Sequence, residues 1–344
     1  MTCPVPAPST DTIVMAHGGG GRMTAELLSS VFLPAFANDV LLAMEDQATV
    51  DVEGGRVAIT TDAFVVRPIF FPGGDIGKLA VAGTVNDLVA GGARPLFLTA
   101  AFVLEEGLAI EKLRRVVTSM QRTCDEAGVI LVAGDTKVVD RGKGDEIYVT
   151  TTGVGVVPPA RAGLSCGAAR AGDVVLVSGM LGDHGIAVLS TREGLEVDTA
   201  LESDCAPLGG LVETLLGANL AVRCMRDPTR GGLASALHEI AGRSGIGVVL
   251  DEEAIPVRPA VRAVCEVLGL DPLYVANEGK LAVIVAAEDA PAALAAIRSH
   301  PLGRDAAIVG RVTEEHPRIV RLRTRVGGER VVPLLAGEQL PRIC

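Results

Sequence analysis

The stretch Val129-Ile-Leu-Val-Ala-Gly-Asp-Thr-Lys137 turns from apolar to polar within one residue. Its first half, 129–133, has the apolar, β-branched composition of a strand. The amphipathic pattern over 110–127 predicts a helix before this strand, and the apolar run over 148–157 predicts a strand after it. Strands and helices that follow one another in this way favour an α/β (α+β) fold.

The preceding part of the chain continues this pattern. Residues 56–66 and 96–104 read as strands, and 23–33 and 77–92 read as helices. The helix over 77–92 ends on glycines and carries Asn86 and Asp87 in otherwise apolar sequence. A carboxylate in such a setting is expected to have a partner, because burying an unpaired charge costs several kcal/mol.

The composition and net charge of the chain limit the classes of protein to which it can belong. A chain of 344 residues with 49% hydrophobic content and 41 glycines predicts two domains with aliphatic cores. The net charge of -11 argues against binding to nucleic acids or anionic membranes. The sequence has no long uncharged apolar run, and its first residues lack the pattern of a signal peptide. We therefore expect a soluble cytoplasmic protein without membrane contact.

The seven cysteines are scattered and form no C-x-x-C pair. Their spacing supports neither a disulfide framework nor a zinc site. Most of them are expected to be buried as small apolar side chains in a reducing compartment.

Four consecutive glycines, Gly18, Gly19, Gly20 and Gly21, precede the helix over 23–33. Their backbone freedom suits a turn that wraps an anion at a helix N-terminus. The Lys-Ser/Thr that completes a P-loop is missing, so a flexible surface loop is an equal alternative.

Three aspartates stand at strand ends or beside glycines in the N-terminal half. Asp62 ends the strand over 56–66, Asp87 lies near the end of a helix, and Asp135 follows the strand over 129–133. Converging carboxylates of this kind suit Mg²⁺, which prefers oxygen ligands and shares its shell with substrate phosphates. A turn or capping role is the alternative for each aspartate alone.

A stretch rich in proline and glycine over 157–172 separates the two halves. We predict domains over 1–157 and 158–331, followed by a mobile tail over 332–344. In the second domain, His184 is read as a hydrogen-bonded turn residue in preference to a metal ligand. Thr229 is read as the N-cap of a helix over 234–241 whose glycines leave backbone N–H groups for a phosphate.

Two further features of the second half have structural interpretations. Arg321, Arg323 and Arg325 alternate as on a solvated strand face. The tail, punctuated by Gly and Pro, places the thiol of Cys344 at the most mobile part of the molecule.

Eight motifs together carry a resemblance to a known family. They are Gly18-Gly-Gly-Gly-Arg22, Thr61-Asp62, Asn86-Asp87, Gly134-Asp135-Thr136-Lys137, Gly182-Asp-His-Gly185, Arg226-Asp-Pro-Thr-Arg-Gly-Gly232, Asn277-Glu-Gly279 and Pro341-Arg-Ile-Cys344. This combination resembles the HypE family of hydrogenase-maturation carbamoyl dehydratases. That family belongs to the superfamily of aminoimidazole ribonucleotide synthetase and selenophosphate synthetase.

The resemblance implies a two-domain fold whose N-terminal domains form a homodimer through a shared barrel. It implies that ATP with Mg²⁺ drives dehydration of a carbamoyl group on the chain's own Cys344 to S-cyanocysteine. The carbamoyl group would come from a partner carbamoyltransferase. The cyanide would pass to iron on two further assembly proteins, as a ligand for the NiFe hydrogenase centre.

Residue by residue, the resemblance implies roles for Cys344 as the carrier, Glu278 as the base and Lys137 as a residue that orients the oxygen or relays a proton. A simple ion pair of Lys137 with Glu278 is the alternative. The metal ligands would be Asp62, Asp87 and Asp135. The nucleotide-binding residues would be Gly18, Gly19, Gly20, Gly21, Asp62, Asn86, Asp87, Asp135, Thr136, Asp183 and Asp227.

The sequence leaves three other functions as alternatives. Selenophosphate synthetase would need a reactive cysteine on the glycine segment, but Cys3 lies well before it. For thiamine-monophosphate kinase or a non-catalytic nucleotide-binding scaffold, Cys344 would have no chemical task. Loss of activity on deleting Cys344 would separate a tail dehydratase from both.

Overall fold

The computed structural model describes residues 12–195, 201–335, 337, 340 and 342–344. Cys3, Pro341 and the N-terminal segment considered as a signal peptide lie outside the described residues. No helix in the described part of the chain is long and apolar enough to cross a membrane.

The N-terminal half combines a sheet with two long helices. Its helices are α1 (Arg22–Leu27), α2 (Leu33–Phe36), α3 (Asp39–Leu42), α4 (Ile76–Ala90) and α5 (Ile110–Ala127), and a π-helical turn, Leu28–Phe32, joins α1 to α2. Its strands are β1 (Ala48–Val52), β2 (Gly55–Phe64), β3 (Phe70–Phe71), β4 (Gly74–Asp75), β5 (Arg94–Glu105), β6 (Ile130–Val139) and β7 (Ile147–Val156).

Five of these strands form a mixed sheet in the order β1-β2-β7-β5-β6. Only the β5–β6 pair of this sheet is parallel. Helix α4 packs on β2, β5 and β7, and α5 packs on α4. Because α4 is enclosed on almost all sides, its sequence is apolar all round and lacks an amphipathic stripe.

Strand β6 departs from its prediction. The apolar run 129–133 was predicted to be a strand that ends before Gly134, but β6 continues to Val139, and nearly all its residues are exposed. Ile130, Val132 and Val138 expose 63%, 56% and 67% of their surface. The strand pairs with β5 and has no second neighbour among the described strands, so its apolar composition is not used within the chain.

The C-terminal half contains a seven-stranded sheet in the order β14-β13-β10-β12-β8-β11-β9. The strands are β8 (Val174–Val177), β9 (Val222–Arg226), β10 (Gly247–Asp251), β11 (Ala282–Val285), β12 (Ala307–Thr313), β13 (Val320–Arg323) and β14 (Glu329–Val331). The helices are α6 (Asp183–Glu193), α7 (Gly209–Gly217), α8 (Gly232–Ser244), α9 (Pro259–Leu268) and α10 (Ala290–Ser299).

Two details of this half correct the sequence reading. Helix α8 begins at Gly232 with Gly231 as N-cap and no side-chain cap, so Thr229 is not its N-cap. Arg321 and Arg323 lie on β13 but Arg325 follows it. The Arg321 side chain is mostly buried. Its charge is compensated by the carboxylates of Glu315 and Glu329, which pair with it.

Asn86 joins the two halves. Its Nδ2 donates to the carbonyl oxygens of Ala206 (3.1 Å) and Glu278 (3.2 Å), and its Oδ1 accepts from the N–H of Leu208 (2.8 Å). All of these groups are buried, and a buried donor or acceptor left unsatisfied costs about 1–3 kcal/mol. Helix α4 is therefore fixed to the C-terminal half at this residue.

The tail, predicted to be mobile, is packed along the molecule where it is described. His238 Nε2 lies 2.6 Å from the Val332 carbonyl oxygen, and Tyr274 Oη donates to that of Pro333. At the other end the side chains of Leu340 and Ile343 are buried. In this structure the described residues of the tail thus lie against the body of the protein.

Candidate active site

A cavity of about 250 Å³ lies between the two halves of the chain. The inward-facing end of β2 and helix α4 form one side of it, and the segment from β9 into α8 forms the other. Six residues predicted from the sequence line this cavity. One is Gly20, and the other five are called the cavity set: Asp62, Asp87, Asp227, Glu278 and Cys344. The fold thus brings together residues that are far apart in sequence.

Three carboxylates of the cavity have oxygens within 4.8 Å of one another: Asp46, Asp87 and Asp227. Asp46 precedes β1, Asp87 lies on α4 and Asp227 follows β9. Thr60 Oγ1 is 2.7 Å from Asp87 Oδ2 and orients this carboxylate. Such a donor set suits a hard divalent cation.

The pKa shifts of these three carboxylates also favour a bound cation. Burial raises the pKa of Asp46 and of Asp87, and in Asp87 the negative charge of Asp62 raises it further. Burial also raises the pKa of Asp227 to about 6, against the opposing effect of Arg226. Carboxylates that disfavour ionisation together become fully ionised when a cation compensates their charge.

Glu278 is buried beside this group. Burial raises its pKa well above the ordinary value, and the charges of Asp227 and Asp204 add to the effect. Its Oε1 has no hydrogen-bond partner among the described residues. A buried carboxylate with a free oxygen and a raised pKa is suited to proton transfer near neutral pH.

Two arginines balance part of the negative charge. Arg226 pairs with Asp46 at 3.1 Å and also with Glu239. Arg230 lines the cavity, and its pKa is raised first by the charge of Cys344 and, after opposing burial, by Asp62. Arg230 therefore places a cation where the tail enters.

The start of α8 also faces the cavity. Gly231 and Gly232 have positive φ angles of +72° and +59°, and a Cβ on Gly232 would lie 2.6 Å from the Leu273 carbonyl oxygen. Glycine is required here because the backbone is left-handed and packs directly on another segment. Gly232 and Ser235 line the cavity, and their own N–H groups donate to the carbonyl oxygens of Thr229 (3.0 Å) and Gly231 (3.2 Å).

Cys344 reaches the cavity through backbone contacts of the tail. The Val65 N–H donates to the Cys344 carbonyl oxygen (3.1 Å), and the Arg67 N–H donates to that of Arg342 (3.2 Å). The Arg342 side chain pairs with Asp145 at 2.9 Å. The sequence reading predicted the thiol's importance but not its docking partners.

Three further predicted residues lie elsewhere and are called the edge set: Asp135, Thr136 and Lys137 on β6. Lys137 Nζ is 2.6 Å from Asp135 Oδ2, and both side chains are mostly exposed. The hydrogen bond from Lys137 lowers the pKa of Asp135. Within one chain, Asp135 does not join Asp62 and Asp87, and Lys137 pairs with Asp135 instead of Glu278.

The remaining predicted residues are divided among several places. Gly20 lines the cavity, whereas Gly19 and Gly21 border a small adjoining space with Leu340 and Ile343. A Cβ on Gly18 would meet no described atom within 4 Å.

Asn86 and Asp183 do not line this cavity. The Asn86 amide is occupied by main-chain groups, as described above. Asp183 borders a separate cavity and accepts a hydrogen bond from Arg258 (2.9 Å). Their predicted roles in nucleotide binding stay predictions.

Sequence reasoning missed Asp46, Arg226 and Arg230 as site residues. Asp46 lies in an unremarkable turn before β1, and no local pattern indicates its spatial neighbours. Arg226 and Arg230 flank Asp227 in a motif that was noted, so their proximity in sequence was the available signal.

Comparison with known proteins gives a consistent result. Residues 44–157 match the family described as AIR synthase related protein, N-terminal domain, and residues 170–322 match its C-terminal domain. The carbamoyl dehydratase HypE of Cupriavidus necator is 56% identical over 333 residues, covering 96% of this chain and 95% of that protein. This chain belongs to the HypE family.

Solved structures agree with this assignment. HypE in a HypE–HypF complex superposes with a TM-score of 0.85 at 48% identity, covering 90% of this chain and 99% of that one. HypE in complex with ATP gives a TM-score of 0.82 at 47% identity, covering 97% and 100%. The predicted family and two-domain fold are confirmed.

Proposed function

We propose that this HypE-family chain is an ATP-dependent carbamoyl dehydratase of hydrogenase maturation whose substrate is its own carbamoylated Cys344. The observation that carries this proposal is the position of Cys344 in one cavity with Asp62, Asp87, Asp227 and Glu278. The HypE–ATP complex supports ATP as the second substrate. A small-molecule kinase would not need a tail residue that occupies its own cavity.

The reaction requires activation of an amide oxygen, which is a poor leaving group. Transfer of the γ-phosphoryl group of ATP to the carbamoyl oxygen converts it into a phosphate ester. The C–O bond then breaks, the amide nitrogen loses both protons, and the products are S-cyanocysteine, ADP and phosphate. The sulfur–carbon bond remains intact throughout, so Cys344 is a carrier.

Mg²⁺ fits the carboxylates of Asp46, Asp87 and Asp227, and Asp62 lies on the same cavity wall. When bound, it would neutralise charge on the transferred phosphoryl group. The carboxylates would hold the cation, and the positive end of the α8 dipole would lie on the side of the phosphate oxygens.

Glu278 is the base that we propose for the amide protons. Its raised pKa makes its carboxylate a stronger base than an ordinary glutamate. Its unpartnered oxygen leaves one acceptor available to the substrate. Arg230 near Cys344 would hold the tail's charge while the proton is transferred.

The edge set belongs in this proposal through a homodimer. The exposed apolar residues of β6 form an unpaired sheet edge, which is a surface suited to pairing with another copy. We propose that a second copy covers β6 and closes the shared barrel. Asp135, Thr136 and Lys137 would then serve a cavity at the interface between copies.

The partners follow from the tail. A carbamoyltransferase must reach the thiol of Cys344, and the HypE–HypF complex supports this class of partner. The iron-carrying assembly proteins would receive the cyanide from the same residue. The inward tail must therefore leave the cavity, and nucleotide should favour the inward state because it completes the site.

Mass spectrometry of the C-terminal peptide tests the proposal. The full chain is incubated with carbamoyl phosphate, ATP, Mg²⁺ and the carbamoyltransferase, and Cys344→Ser serves as the control. We expect addition of a carbamoyl group to Cys344 and then loss of water that depends on ATP. A carbamoylated peptide that stays unchanged with ATP would refute the dehydration.

A further inference from the structure

The His184 side chain bridges the body of the protein and the tail. It is fully buried as the second residue of α6. Its Nε2 lies 2.7 Å from the carbonyl oxygen of Ile343, the residue directly before Cys344. Its Nδ1 lies 2.8 Å from Ser203 Oγ.

The partners of the ring determine its protonation. A carbonyl oxygen only accepts hydrogen bonds, so Nε2 must carry the proton that faces Ile343. The Ser203 hydroxyl oxygen accepts from the Cys205 N–H (3.1 Å), and its own proton is available to Nδ1. Burial lowers the pKa of His184, in agreement with this neutral form.

The surroundings hold the ring in place. Phe71 meets it edge-on with ring centroids 5.4 Å apart. Gly185, the next residue, lets α6 approach the tail closely, because a Cβ there would lie 2.5 Å from Val275 and 3.2 Å from Leu340. These contacts define the direction of the Nε2–H group toward the Ile343 carbonyl oxygen.

The last peptide of the tail is held from both ends. His184 fixes the Ile343 carbonyl oxygen, and the Val65 N–H fixes the Cys344 carbonyl oxygen at 3.1 Å. With these two atoms fixed, the Cys344 side chain retains only its own torsions. A carbamoyl group on the sulfur is then directed into the cavity that Glu278 and Asp62 line.

We propose that His184 is a positioning residue that sets the place of the Cys344 substrate group through the Ile343 carbonyl oxygen. This inference rests on the proposed dehydration of Cys344 and adds a residue that acts on the substrate backbone. Misplacement of a reacting group by about 1 Å is enough to lower a rate by about 100-fold.

Four variants test the role of His184. His184→Phe keeps a ring but removes both hydrogen bonds, and His184→Gln keeps an N–H donor on a flexible chain. Ser203→Ala keeps the ring but removes the donor that fixes its tautomer. Ser190→Ala, in the same helix and buried, is the matched control because the Ser190 hydroxyl has no hydrogen-bond partner among the described residues.

The first measurement is the single-turnover rate at which carbamoylated Cys344 loses water with ATP. We expect His184→Phe to lower this rate by about 10- to 100-fold with nucleotide affinity unchanged. His184→Gln should stay within about threefold of the wild type, since it still donates to Ile343, and Ser203→Ala should lie between these two. A wild-type rate in His184→Phe, or equally slow His184→Phe and His184→Gln, would overturn the proposal.

The second measurement is the alkylation rate of unmodified Cys344, followed on the C-terminal peptide without ATP. We expect His184→Phe to increase labelling about 10-fold and Ser190→Ala to leave it unchanged. Equal labelling of Cys344 in wild type and His184→Phe would overturn the positioning role. This measurement needs no dehydration, so failure of the proposed reaction in the wild type would be recognised separately.

Discussion

The cavity set and the edge set were predicted from the same sequence and have opposite environments. Asp87, Asp227 and Glu278 lie where burial raises their pKa values. Asp135 and Lys137 form an exposed pair on β6, and the pKa of Asp135 is lowered. The first group is where we propose that a cation binds, whereas the second already has its counter-charge.

A single chain encloses the cavity set but leaves the edge set on an exposed strand. A solvent-exposed ion pair such as Asp135–Lys137 contributes about 0–1 kcal/mol to stability, so structural need does not explain it. Its position on an uncovered apolar strand suggests that its environment changes when another copy binds. Four predictions test this comparison.

The largest loss of dehydration rate is expected from a substitution in the cavity. Asp87→Asn removes one charge from the proposed cation site, and we expect ATP-dependent dehydration to fall by about 100- to 1,000-fold. Asp125→Asn on the exposed side of α5 is the matched control and should keep the wild-type rate. An Asp87→Asn chain with wild-type turnover would remove Asp87 from the cation site.

The next effect concerns Lys137. Lys137→Ala and Glu278→Gln should each lose about 100-fold in dehydration rate when assayed alone. If each site takes Glu278 from one chain and Lys137 from the other, equal mixing of the variants should restore about a quarter of wild-type activity. Mixed dimers would carry one complete site, and about half of the dimers would be mixed. No recovery after subunit exchange would assign both residues to the same chain.

A third prediction concerns the β6 surface. Val132→Glu puts a charge on the exposed apolar strand and should weaken dimerisation by about 10- to 100-fold, measured by sedimentation at several concentrations. Val326→Glu, at a position that is 94% exposed, should leave dimerisation unchanged. Unaltered association of the Val132→Glu chain would place the dimer contact elsewhere.

The smallest expected effect is a dependence of Mg²⁺ affinity on pH. Asp227 has a pKa of about 6, so it is ionised at pH 7.5 and largely protonated at pH 5. Mg²⁺ must displace that proton at low pH, and its apparent affinity should fall about tenfold for each pH unit below 6. Thermal unfolding with and without Mg²⁺ measures this change.

In that experiment, Asp227→Asn is the matched control. It should show weaker stabilisation by Mg²⁺ and a flatter pH response. Equal stabilisation of the wild type at pH 5 and pH 7.5 would exclude Asp227 from the site.

The sequence was informative where a local pattern reports a local environment. The amphipathic period of Ile110–Ala127 gave both ends of α5. The apolar run of β6 predicted a strand correctly but not its exposure, because composition does not tell whether another described element packs against the strand. Thr229 failed as an N-cap because left-handed Gly231 takes that position.

The site residues could be predicted from the sequence only where a local motif marks them. Asp62, Asp87, Asp227 and Glu278 stood out by motif, whereas Asp46 is defined by contacts with residues such as Arg226, far along the chain. The hydrogen bond of His184 with Ile343 spans 159 positions in sequence. No local spacing carries that information.

Asn86 has a consequence for how the cavity can open. It neighbours Asp87 and bonds to the main chain of Glu278, so one amide sets the separation between the proposed cation site and the proposed base. Moving these two apart would leave several buried groups unsatisfied, at about 1–3 kcal/mol each. If residues 342–344 withdraw as proposed, the hydrogen bonds of Asn86 can stay in place, because none of them involves the tail. The proposed tail movement would therefore open the cavity while its two walls keep their spacing.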